Sequence, residues 1–107
     1  MASKQIHRVT MFKIPSPVDQ KRLIDLYRGL PDRALKDGKR YILSAAVGPT
    51  FDDARNQGYT LAAFTMFETE DDMKYYDEQC SEHAEIKKLA RSLQIPKPMM
   101  VYFQNAL

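Results

Sequence analysis

Two histidines and a pair of adjacent tyrosines are the residues of this chain whose types and spacing suit acid–base chemistry. Met73, Tyr76, Cys80, His83 and Ala84 follow one another at helical intervals, so a helix would set them on one apolar face. An imidazole aimed inward beside a tyrosine can take or give a proton near neutral pH, as enolisation and aldol steps require. The other reading of His83 is a structural histidine bonded to a backbone carbonyl. Tyr75 and Tyr76 are neighbours on that helix and cannot both face one pocket; Tyr76 falls on the Met73–Cys80 stripe and is preferred. His7 lies in an apolar stretch where Val9 and Met11 would share its strand face. Two histidines without a cysteine or carboxylate cluster make a poor zinc site, because zinc normally takes three or four protein ligands. No metal is expected. Asp71, Asp72, Asp77, Glu78 and Glu82 fit a solvated helix face, and Cys80 reads as a small buried hydrophobe.

These side chains need a scaffold, and the pattern supplies one. Ile6 to Ile14 reads as a strand, with His7, Val9 and Met11 on one face and Ile6, Thr10 and Phe12 on the other. Ser16-Pro17-Val18-Asp19 starts a helix, with a serine N-cap and proline at the first helical position. Leu23, Leu26, Tyr27, Leu30 and Ala34 form its stripe, Pro31 kinks it or begins a new turn, and Gly38 stops it. Tyr41 to Val47 is a second strand, with Tyr41, Leu43, Ala45 and Val47 on one face. A long loop carries Phe51 and Arg55 to a third strand, Tyr59 to Glu68. Thr69, followed by Glu70, Asp71 and Asp72, caps the helix that bears the tyrosines. Ser81 caps a further helix with Ile86, Leu89, Ala90 and Leu93 buried, and Met99 to Phe103 forms the last strand.

The order is βαββαβ, the split-βαβ arrangement of an α+β ferredoxin-like fold with an antiparallel four-stranded sheet. At 107 residues the chain is expected to be one domain, residues 1–107, with one core. A net charge of +2 with both signs interspersed gives no basic stripe, so no nucleic acid is expected as a partner. There is no run of about eighteen apolar residues, so no membrane association is expected either. Met1-Ala2-Ser3-Lys4-Gln5 has no apolar signal region, and a lone cysteine suits a reducing compartment; a cytoplasmic location is expected. With helices on one side, the sheet's second face would be too apolar to stay bare, which points to a homodimer packed sheet against sheet.

The chain resembles the stress-response A/B barrel domain (Dabb) family, dimeric α+β barrels. The resemblance rests on Ile6-His7-Arg8-Val9-Thr10-Met11-Phe12-Lys13, on Gly58-Tyr59-Thr60, and on the tyrosine-then-histidine segment from Tyr75 to His83. Its wording is similar to small fungal members. The resemblance implies a dimeric barrel and two kinds of function. One is a cofactorless cyclase that folds a poly-β-keto chain by aldol-type condensation, with His83, Tyr76 and His7 as its acid–base residues. Val9, Met11, Tyr27, Tyr75 and Ile86 would then form the walls for a small hydrophobic or polyketide-like ligand, and no cofactor is expected. The other is a non-enzymatic, stress-associated protein with a vestigial pocket. The sequence departs from the cyclase pattern in two places. The tyrosine-to-histidine spacing is a residue or two longer, and Cys80-Ser81 stands where a His-Pro pair is usual. A monooxygenase is a third possibility, resting on fold analogy alone.

Overall fold

The computed structural model describes residues 4–107, so the start of the N-terminal segment read above lies outside the described residues. The chain runs β1 (Ile6–Phe12), α1 (Pro17–Tyr27), α2 (Leu30–Arg33), β2 (Leu35–Lys36), β3 (Lys39–Arg40), β4 (Ile42–Pro49), a 3₁₀ turn (Ala54–Asn56), β5 (Leu61–Phe67), α3 (Glu70–Glu78), α4 (Ser81–Ser92) and β6 (Met99–Gln104). The four long strands form one antiparallel sheet in the order β4-β5-β1-β6. This is the expected α+β ferredoxin-like fold. No helix among the described residues is long and apolar enough to cross a membrane.

Alternation along the two central strands decides what the helices cover. In β1 the buried residues are Ile6, Arg8, Thr10 and Phe12, and in β5 they are Leu61, Ala63, Thr65 and Phe67. With Leu23 and Tyr27 of α1, Met73 and Tyr76 of α3, and Ile86 and Ala90 of α4, the apolar ones among these belong to the core. The other face carries His7, Val9 and Met11, paired across the sheet with Met66, Phe64 and Ala62 and with Phe103, Val101 and Met99. That face is apolar and open: Val101 and Phe103 are 51% and 52% exposed.

The differences from the sequence reading have local causes. Gly38 does not end a helix. Asp37 and Gly38, both at positive φ, form the tight turn of a small β2–β3 hairpin, the geometry an Asp-Gly pair favours. Pro31 begins the separate short α2, after Gly29 turns the chain in the left-handed region at φ 66°. In β4 an irregularity between Ile42 and Ser44 shifts the register, so Leu43 is exposed instead of joining Tyr41. Cys80, not Ser81, takes the N-cap of α4.

Two of the three helix starts foreseen from the sequence, those of α1 and α3, are built with side-chain caps. Ser16 Oγ accepts the Asp19 N–H at 3.3 Å, and Thr69 Oγ1 accepts the Asp72 N–H at 3.1 Å. Thr69→Ala removes the acceptor that satisfies one orphan donor of α3. We expect it to lower unfolding stability by about 1 kcal/mol, read as a shifted midpoint in chemical denaturation with unchanged slope.

Candidate functional site

The site is organised by the break between α3 and α4. A helix end leaves its last carbonyls without intrahelical donors. Tyr75 O takes the Gln79 and Cys80 N–H groups, and the next two carbonyls are reached by side chains from α4. His83 Nδ1 lies 2.9 Å from Tyr76 O, and Lys87 Nζ donates to Asp77 O. His83 and Lys87 are four residues apart, one turn of α4, so the same helix face delivers both.

The His83 ring stacks on the Tyr76 ring, with centroids 3.8 Å apart and planes at 7°. A carbonyl oxygen only accepts, so Nδ1 must carry the proton that bonds Tyr76 O. The lone pair of the neutral ring is then on Nε2, which has no hydrogen-bond partner among the described residues. His83 is 4% exposed. Burial pushes its pKa down to about 3; the bond to the Tyr76 carbonyl opposes this, and the charges of Arg8 and Lys87 reinforce it. At neutral pH the ring is an uncharged base in a fixed tautomer.

Arg8 is the residue at this site that the sequence reading missed. It projects from β1 on the covered face and is 7% exposed. Its Nη1 donates to Thr10 Oγ1 and its Nη2 to Asp77 Oδ1, both at 2.8 Å, while its Nε is buried without a partner. The guanidinium carbon is 5.3 Å from the centre of the Tyr76 ring. Asp77 is thereby drawn out of the solvated helix face assigned to it and lies 3.7 Å from His83 Nδ1. The usable signal was parity: an arginine in phase with Ile6, Thr10 and Phe12 must share their face.

A cavity of about 660 Å³ opens between this face of the sheet and helices α1 and α4. Arg8, Thr10 and Phe12 form one wall, Tyr27 and Ile86 another, and His83 lies at the lining with Asp77 and Lys87. Burial pushes the Tyr27 hydroxyl up to about 12, so it remains a donor at neutral pH.

Of the expected site residues, His83, Tyr27 and Ile86 meet at this cavity. Tyr76 does not line it. It is 0% exposed, packed behind His83, and its hydroxyl is buried without a partner, with a pKa raised mainly by burial. Tyr75 lies on another side of α3, edge-on to Tyr41 at 5.2 Å, with its hydroxyl 3.4 Å from Leu35 O. His7, Val9 and Met11 are on the opposite face of the sheet, where His7 stacks on Phe103 at 5.1 Å. The expectation that His7, Val9 and Met11 share a pocket with His83 is therefore corrected. In a strand adjacent residues point to opposite faces, and the parity of Arg8, not of His7, leads to the helices.

A histidine held neutral by the fold links stability to pH. The unfolded chain binds a proton at His83 below about pH 6.5, whereas the folded one does so only near pH 3. This contribution is fully present above pH 6.5 and is lost as pH falls toward 3. Its slope is at most about 1.4 kcal/mol per pH unit. Denaturation midpoints of the wild type should fall more steeply between pH 6.5 and 4 than those of His83→Gln; equal slopes would contradict the assignment.

Comparison with known proteins agrees with this architecture. A relative from Gibberella zeae described as a fusaristatin A biosynthesis cluster protein is 40% identical over 100 residues, covering 94% of this chain and 72% of that protein. Among solved structures, a hydroxynitrile lyase from Passiflora edulis aligns with a TM-score of 0.76 at 14% identity, covering 97% of this chain and 96% of its own. A dimeric ferredoxin-like protein from Thermobifida fusca aligns at 0.76 and 16% identity, covering 95% and 92%. A cofactor-independent oxygenase from Streptomyces nogalater aligns at 0.71 and 8% identity, covering 98% and 96%. At these identities the structural likeness is one of fold. The model of the stress responsive A/B barrel domain family matches residues 6–96, and the chain belongs to that family.

Proposed function

We propose that this protein binds a small, largely apolar carbonyl compound in the cavity between sheet and helices and moves a proton on it through His83. The observation that carries this reading is the fixed tautomer. Nδ1–H is committed to the Tyr76 carbonyl, which leaves the Nε2 lone pair for a ligand in a cavity of about 660 Å³. That volume suits a drug-sized molecule. Nε2 would take a proton from the carbon next to a carbonyl, and the electron pair would move to the carbonyl oxygen as an enolate. The Tyr27 hydroxyl would donate to that oxygen. The enolate carbon is then either reprotonated or attacks a second carbonyl of the same molecule, whose oxygen receives the proton back from His83. Tyr76 supports the imidazole by stacking and by its carbonyl. This sequence uses only side chains of the chain, with no cofactor.

A second reading, the non-enzymatic one with a vestigial pocket, is favoured by a specific observation. His83 and Lys87 both satisfy carbonyls at the end of α3, a sufficient structural reason for a histidine here.

For both readings we propose a homodimer. The open face presents Val9, Met11, Phe64, Met66, Val101 and Phe103 together, a patch that a second copy of the same sheet would cover. His7 would then be buried between the sheets, away from the chemistry. The family and the dimeric neighbour from Thermobifida fusca support this.

Two measurements check these proposals. Deuterium incorporation next to the carbonyl of phenylacetone, followed by NMR in heavy water, should exceed the buffer rate. It should fall by roughly 10²- to 10⁴-fold in His83→Ala, the usual contribution of a general base. Exchange at the buffer rate in the wild type would favour the non-enzymatic reading. By sedimentation the wild type should be a dimer burying more than about 1,200 Å². Val101→Asp should shift it to monomer, and a monodisperse wild-type monomer at micromolar concentration would refute the dimer.

A further inference from the structure

The cavity is unevenly charged. Its deeper walls, from Phe12, Tyr27, Ile86 and Ala90, are apolar, but four cations line it as well: Arg8, Lys87, Arg91 and Lys97. Asp77 is the one carboxylate at the lining, and it is committed to Arg8 at 2.8 Å. Lys87 donates to a backbone carbonyl, which leaves its charge uncompensated. Arg91 and Lys97 make no ion pair among the described residues. An apolar cavity bordered by three unneutralised cations has a field that attracts an anion.

We propose that the occupant is an amphipathic anion, with an apolar body against Phe12 and Ile86 and a carboxylate or phosphate head held by Lys87, Arg91 and Lys97. This rests on the reading of the cavity as a ligand site and adds the substrate's charge. The placement also fits the base. Arg8 and Lys87 both disfavour protonated His83, and a bound anion would offset that effect. A negatively charged substrate therefore makes the imidazole a better proton acceptor when it binds.

The test uses three probes of equal chain length below their micelle concentrations: decanoate, decyl phosphate and the neutral decanamide. Binding is measured by calorimetry, and the site by perturbation of the His83 ring resonances. The wild type should bind at least one anion more tightly than decanamide, with His83 perturbed by both kinds of probe. The tighter of the two anions identifies the head group. Arg91→Ala combined with Lys97→Ala should weaken the anion by roughly 3- to 30-fold, the scale of two exposed charge contacts. It should leave decanamide within about twofold, and raised salt should mimic it for the anions alone. If decanamide binds as well as the anions and the double variant moves neither, the charge inference is overturned while the cavity reading stands. If no probe binds, both fall. Anion binding without perturbation of His83 places the anion on the outer surface and overturns the inference.

Discussion

The bond from His83 Nδ1–H to the Tyr76 carbonyl is the contact on which the rest of the site depends. It exists because α3 stops at Glu78 and α4 begins at Ser81, leaving carbonyls that backbone N–H groups do not reach. Buried carbonyls left unpaired are costly, so the helix end demands side-chain donors, and α4 supplies two from consecutive turns. Meeting that demand fixes the tautomer of the imidazole and sets its plane on Tyr76. A structural requirement and a chemical opportunity thus fall on one residue.

The second constraint is parity along β1. Arg8 and His7 are neighbours in sequence and lie on opposite sides of the sheet. Arg8 joins Thr10 and Asp77 under the helices, and His7 joins Phe64 and Phe103 on the open face. A buried guanidinium needs its charge met, and it recruits Asp77 from a helix whose pattern suggested a solvated carboxylate. The Arg8–Asp77 pair therefore ties the sheet to the end of α3 at the point where the two helices meet.

The fold and family were legible in the sequence, and so was the inward phase of His83, because hydrophobic spacing and caps are local signals. Thr69 and Ser16 show this: each cap is set by residues within one turn. What was not legible depended on pairings between distant segments. The sequence pattern leaves neither face of β1 cleanly polar and so does not show which one meets the helices, and the family likeness drew attention to His7. The preference for Tyr76 as a pocket residue failed for a related reason. Helical phase showed that it faced inward, but not that His83, beyond a helix break, would lie in front of it. The β2–β3 hairpin was hidden in an Asp-Gly pair read as a helix stop.

The sheet has an apolar, open outer face and, on its inner face, a cavity lined by charged side chains, and His83 lies at the second. His83 is a neutral, Nδ1-protonated imidazole with Nε2 unengaged by other described residues. Nitrogen chemical shifts of its ring, followed from pH 8 down to the onset of acid unfolding, test this most directly. The expected result is a protonated Nδ1, an unprotonated Nε2, and no titration near the ordinary histidine value of about 6.5. A ring protonated on Nε2, or one that titrates near 6.5, would contradict it.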